Sequence, residues 1–173
     1  HTPYNGLLLY HGLGTGKTCS AISICEEHRK YMKQMQITKR ILIVASPNVQ
    51  DNFRLQLFDD RKLKKIDNQW NLENCVGSQL LKEINPNQVY NIFKKKIINY
   101  IKRIIDTNYK FIGYAGLAKW VEKIKKRLKN EDEQNMAIKQ TFSNRMMVID
   151  EIHNIRVTND NKGKKVTGMA VQS

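Results

Sequence analysis

His11-Gly12-Leu13-Gly14-Thr15-Gly16-Lys17-Thr18 is the run of this 173-residue chain whose residue types and spacing are best suited to chemistry. Gly14 and Gly16 lack a Cβ, so their backbone can turn amide N–H groups toward an anion. A helix opening at Lys17 would add unpaired N–H groups and a partial positive dipole. In that setting the Lys17 ammonium can reach the β- and γ-phosphate oxygens of a nucleotide, and the Thr18 hydroxyl can ligate Mg²⁺. Gly12, Leu13, Gly14, Thr15, Gly16, Lys17, Thr18 and Cys19 are therefore the candidate nucleotide-binding residues. The strict phosphate-loop pattern wants glycine at position 11, where this chain has His11. The match is to the looser form, and its strand–loop–helix context carries the remainder.

A second run completes the chemistry. Met146-Met147-Val148-Ile149 is a short apolar stretch closed by Asp150-Glu151-Ile152-His153. At the end of a strand, Asp150 can hold Mg²⁺ through a water. Glu151 can polarise an attacking water as general base. Two acids at a strand end serve equally well as a solubility stop. Joined to a phosphate loop in the same chain, they point to nucleoside triphosphate hydrolysis, with Lys17 and Glu151 as catalytic residues and Thr18 and Asp150 as metal ligands.

The elements that must position these groups can be read from the apolar pattern. Gly6–Tyr10 is expected as a short buried strand, followed by the glycine-rich loop and a helix from Lys17 to about Met35. Ile22, Cys25, His28, Met32 and Met35 share a face of that helix, with His28 as an edge histidine rather than a ligand. Arg40–Ser46 reads as a parallel strand buried on both faces, and Pro47 can begin a helix through Phe58. Residues 59 to about 88 are polar, poorly periodic and punctuated by asparagines, as in an insertion. Val89–Ile105 reads as an amphipathic basic helix with Phe93, Ile97, Tyr100, Ile101 and Ile104 on its apolar stripe. Phe111–Ala115 is a third strand candidate, and Leu117–Leu128 a further helix. Asn130–Asn135 reads as an acidic loop, Met146–Ile149 as a fourth strand, and residues 159–173 as an open loop. Alternation of this kind predicts an α/β fold with a parallel sheet and crossover helices, whose ligands bind at the carboxyl ends of the strands.

Composition narrows the partners. Thirty Lys and Arg against sixteen Asp and Glu leave a net charge of +14, which favours a polyanion such as nucleic acid. Basic residues cluster at 61–65, 94–103 and 119–129, where a solvated helix face is as good a reading as a phosphate-binding one. Trp70 and Trp120 could stack on bases, although lone aromatics beside apolar stripes are more often core. No apolar run is long enough to span a membrane, and no secretory signal opens the chain. The absence of an initiator Met is expected of an excerpt from a longer protein. Three cysteines without CxxC spacing predict neither a disulfide framework nor a zinc site, and a reducing, intracellular setting.

At this level the motifs resemble a family. Gly14-Thr15-Gly16-Lys17-Thr18 and Asp150-Glu151-Ile152-His153 are similar to motifs I and II of superfamily 2 helicases and translocases. Ala45-Ser46-Pro47-Asn48 through Phe53 is similar to motif Ia, and Phe111-Ile112-Gly113-Tyr114 to the next strand-end motif, which in that family faces the nucleic acid. The fuller wording of residues 4–12, His11 included, and of residues 148–156 resembles the helicase-like ATPases of nucleocytoplasmic large DNA viruses, the group of the poxvirus early transcription factor small subunit and nucleoside triphosphate phosphohydrolase I. The resemblance implies that residues 1–173 are a partial first RecA-like P-loop NTPase domain with a variable insertion at about 59–110. It implies ATP and Mg²⁺ as cofactors, and His153 as a coupling residue. It further implies a second RecA-like domain supplying an arginine finger, so that this chain alone would be weakly active or inactive. The partners it implies are nucleic acid, DNA before RNA, and viral RNA polymerase or transcription-factor subunits, in the virion and the cytoplasmic virus factory, with no membrane. The alternatives are a non-helicase P-loop ATPase, and a nucleotide-switched transcription-factor subunit that binds DNA without unwinding it.

Overall fold

A computed structural model describes residues 6–10, 16–87 and 92–151. They belong to two compact units, one drawn from residues 1–31 and 53–104, the other from residues 32–52 and 105–173.

The second unit is built on a parallel sheet. Its strands β1 (Ile41–Val44), β4 (Tyr109–Ile112) and β5 (Met147–Ile149) lie in the order β4-β1-β5. Central β1 is buried along its whole length, as its unbroken β-branched and leucine run requires of a strand covered on both faces. The register pairs Leu42 with Lys110 and Met147, and Val44 with Ile112 and Ile149. Paired residues in a parallel sheet point to one face, and on that face Leu42 and Val44 pack with Leu117, Trp120 and Phe142. Leu117 and Trp120 come from α5 (Tyr114–Lys125), and Phe142 ends α6 (Glu131–Phe142).

Helix α6 overturns the acidic loop expected at Asn130–Asn135. The Asn130 side chain accepts a hydrogen bond from the Asp132 N–H at 3.1 Å, and Glu131, Asp132 and Glu133 fill the first turn. A capping asparagine and acids at a helix amino terminus satisfy orphan N–H groups and complement the dipole. The same acids that looked like a loop are a helix start.

The first unit contains most of α1 (Lys17–Gln34), whose bounds match the expected helix, together with the end of α2 (Pro47–Leu57) and most of α4 (Lys94–Asn108). The stretch from residue 59, read as an insertion or a loose connection with short elements, holds such elements through Ile84. A short 3-10 turn at Asp60–Lys62 leads into an antiparallel hairpin, β2 (Leu63–Ile66) and β3 (Gln69–Leu72), and then α3 (Gly77–Ile84). The hairpin turns at Asp67 and Asn68, both left-handed at φ 46° and 64°. Asp and Asn tolerate that conformation, and two such residues suit the twist of a two-residue turn. Helix α3 then packs so closely on β3 that a Cβ at Gly77 would overlap the Leu72 carbonyl and lie 2.7 Å from its Cγ.

Two further expectations are corrected. Gly6–Tyr10 is not a strand: it pairs with none of the described strands, and Leu7, Leu8 and Tyr10 are exposed. An apolar run becomes a strand only where a neighbour satisfies its N–H and C=O groups. On α4 only Ile97 and Ile101 are buried, whereas Phe93 precedes the helix and is 82% exposed.

Candidate functional site

Gly16 enters α1 with φ +83°, a left-handed conformation that glycine adopts without strain. Its carbonyl accepts from the Ser20 N–H at 3.0 Å, which closes the first helical turn. That turn carries no acid. Lys17 is exposed and Thr18 half-buried. Gly12, Leu13, Gly14, Thr15 and His153 lie outside the described residues.

Cys19, the last of the candidate nucleotide-binding residues, is joined by a disulfide to Cys75, with the Cα atoms 5.3 Å apart. This overturns the expectation of free cysteines. The two are 56 residues apart in sequence, so only the tertiary structure brings them together. Cys25 is free and buried, and burial, reinforced by the Glu26 carboxylate, pushes its thiol up to about 12. The same helix holds a buried ionic cluster that periodicity did not reveal. The Arg29 guanidinium donates to both carboxylate oxygens of Glu26 at 2.7–3.1 Å, and to both of Glu83 at 2.6 and 3.1 Å. Burial alone would lower the Arg29 pKa; the two carboxylates outweigh it and hold the guanidinium charged. Cys75 precedes α3 and Glu83 lies on it, so the insertion is tied to the candidate phosphate helix at two points.

The carboxyl ends of the parallel strands gather the other candidates. The Asp150 N–H donates to the Val44 carbonyl at 3.1 Å, extending β5 beside β1, and the Tyr114 hydroxyl donates to the Asp150 carbonyl. Beyond β1, the Ala45 N–H donates to the Ile112 carbonyl at 3.2 Å, and Gln50 Nε2 to the Ala45 carbonyl at 2.8 Å. Thus the ends of all three strands, Ala45–Ser46, Gly113–Tyr114 and Asp150–Glu151, share one edge of the sheet. Glu151 is exposed and sits at φ +50°, an uncommon conformation for a residue with a Cβ. Tyr114 was expected within a strand. It opens α5 instead, and its hydroxyl positions the Asp150 backbone, a role with no signal in the sequence. The Lys17–Thr18 pair and the Asp150–Glu151 pair belong to different compact units.

The basic clusters are partly spent on structure. Arg61 makes two bonds to Asp59, at 2.8 and 2.9 Å, and Lys102 lies 3.7 Å from Asp60. Neither tryptophan is a free stacking platform. Trp70 Nε1 donates to the Ile92 carbonyl at 3.1 Å, and Trp120 packs on Phe142 with ring centroids 5.3 Å apart. No helix among the described residues is long and apolar enough to cross a membrane.

Comparison with known proteins adds relatives. The chain is 34% identical over 89% of its length to a protein of Acanthamoeba polyphaga mimivirus named as an ATP-dependent RNA helicase. It is 29% identical over 92% of its length to a protein of Invertebrate iridescent virus 3 named as a helicase, and 24% identical over 90% to another helicase-named protein, from Frog virus 3. It spans 22% of the mimivirus protein and 14% of the iridescent virus one. No protein-family model matches the chain, and no solved structure matches it.

Proposed function

We propose that this chain is the ATP-binding and hydrolysing part of a nucleic-acid-dependent superfamily 2 helicase or translocase of a large DNA virus, drawn from its first RecA-like domain. The observation that carries the reading is the carboxylate pair Asp150–Glu151 at the carboxyl edge of a parallel sheet, in a chain whose helix α1 opens on Gly16-Lys17-Thr18. Similarity over about nine-tenths of the chain to viral proteins with helicase names supports it.

The residue types of the two motifs suit a nucleotide and its metal. The left-handed Gly16 has open space where a Cβ would stand, and the acid-free first turn of α1 leaves its N–H groups to an anion. By motif, Lys17 is assigned to the terminal phosphates, and Thr18 and Asp150 to Mg²⁺. Bound Mg²⁺ supplies charge neutralisation on the phosphate oxygens. Glu151 takes the proton of the attacking water. Its left-handed backbone costs energy on the order of 1 kcal/mol, and Tyr114 holds the preceding peptide. His153 couples this edge to the rest of the motor, and an arginine from a second RecA-like domain completes the charge stabilisation, an effect worth roughly three to five orders of magnitude in rate. Ala45–Ser46 and Gly113–Tyr114 share the Asp150 edge, and in this reading the motifs that begin or end there contact the nucleic acid. The mimivirus relative carries an RNA-helicase name, so RNA stands beside DNA as the track, in an intracellular, transcription-linked setting.

The test is ATP hydrolysis by the whole protein with and without single- and double-stranded DNA and RNA, alongside Lys17→Ala and Glu151→Gln. Stimulated hydrolysis lost in both variants is expected. Hydrolysis that survives both, or none under any condition, refutes the reading.

A further inference from the structure

The opposite edge of the parallel sheet collects cations that the nucleotide reading does not use. Lys110 is the second residue of β4 and stands in register with Leu42 and Met147. Arg40 and Arg145 lie two residues before Leu42 and Met147. Extended chain keeps parity over two residues, so all three cations emerge on the face covered by Trp120. Lys110 Nζ is 3.7 Å from the Trp120 ring centroid and Arg145 Cζ is 5.4 Å from it. Arg145 Nε is buried and has no hydrogen-bond partner among the described residues. No carboxylate among those residues pairs with Arg40, Lys110 or Arg145. Lys39 adds a fourth charge nearby, its ammonium held by the Gln140 and Ser143 carbonyls.

We propose that Lys110 and Arg145, at the Trp120 ring, together with neighbouring Arg40, form a phosphate-type oxyanion site at the amino edge of the sheet. Strands of four residues separate it from the Asp150 edge by about 13 Å. Like charges crowded into a half-buried corner raise the energy of the empty site. Burial, then Arg40 and Arg145, hold the Lys110 pKa below its ordinary range, and burial, then Arg40, lower that of Arg145. A bound oxyanion would offset that repulsion and give the orphaned Arg145 Nε–H an acceptor, as charge-assisted bonds to phosphate do. The cation–π contacts with the Trp120 ring mean that the ring reports on the site rather than stacking on a base.

The experiment follows Trp120 emission in the full chain carrying Trp70→Phe, titrated with inorganic phosphate and with a 20-nucleotide oligothymidylate across a salt series. A saturable response to both is expected. It should survive Lys17→Ala, which separates it from the nucleotide site, and disappear in Lys110→Gln/Arg145→Gln. Each lost phosphate contact flattens the log K against log salt slope by roughly 0.7 for a single strand, so two lost contacts weaken oligonucleotide binding roughly 25-fold at 0.1 M salt. Should the double variant fail to fold, exposed Arg40→Gln carries the test, with a slope flatter by roughly 0.7. A response to phosphate with an unchanged oligonucleotide slope supports the site and assigns it to a free oxyanion rather than a phosphodiester. No saturable response to either probe, with Arg40→Gln indistinguishable from the parent, overturns the proposal.

Discussion

Replacing Arg29 by methionine should cost this protein much of its stability, because the change strands a buried charge. The Glu26 side chain is 1% exposed and that of Arg29 6%, whereas that of Glu83 is 29% exposed. One guanidinium serves two carboxylates, so its loss removes the Arg29 counter-charge that offsets the burial of Glu26. Removing one partner of a buried pair costs about 3–5 kcal/mol, against a total of about 5–15 kcal/mol for a typical domain. Glu83→Gln keeps a hydrogen-bonding side chain at a wetter position and should cost about 1 kcal/mol. The informative variant is Glu26→Leu combined with Arg29→Met. It removes both buried charges and should recover most of the loss, since apolar replacement of a buried pair is often neutral. Urea unfolding followed by far-ultraviolet circular dichroism gives all three free energies, and with the Glu26→Leu single variant added the double-variant cycle isolates the coupling. If Arg29→Met costs less than about 1 kcal/mol, or the double variant is no more stable than the single, the charge-burial argument fails.

Three further outcomes are expected. Reducing the Cys19–Cys75 disulfide, or replacing Cys75 by serine, should lower stability by up to about 4 kcal/mol, the chain-entropy value for a 56-residue separation; iodoacetamide at pH 8 should then label Cys19 and Cys75 in the reduced protein and spare buried Cys25, as mass spectrometry would read. Gly77→Ala should destabilise the first unit by about 1–3 kcal/mol, the usual range for overpacking, because the new methyl meets the Leu72 backbone; an unchanged melting temperature would count against the close α3–β3 packing. Burial holds the His28 pKa below its ordinary 6.5, so the unfolded chain takes the proton first. Its contribution is whole above that value and is lost as pH falls through the folded-state pKa; melting temperatures from pH 7.5 to 5.5 should fall less steeply in His28→Gln.

The parts of the molecule that were legible in the sequence are those set by local pattern. The bounds of α1, the buried run of β1, the proline start of α2 and the apolar stretch of β5 each follow from spacing within one element, where burial and propensity agree. The quoted motifs likewise put Lys17 and Thr18 at a helix start and Asp150 at a strand end from residue order alone. The hairpin at 63–72 left a weaker trace, an Asp-Asn pair between two short runs, and Asn130 with its three acids was a capping signal read as a loop. What the sequence could not decide were the long-range pairings. Cys19 meets Cys75, Arg29 meets Glu83, and Tyr114 meets Asp150 because separate elements fold back on one another, and no period within an element encodes that. The same holds for the cations at Trp120: Arg40, Lys110 and Arg145 are scattered along the chain, and only the register of a parallel sheet brings them to one face. Gly6–Tyr10 shows the converse, an apolar run whose composition asks for a strand but which has no described partner to satisfy its backbone. Residue types fix what each group can do; the tertiary fold decides which groups share a dielectric, a partner and an edge.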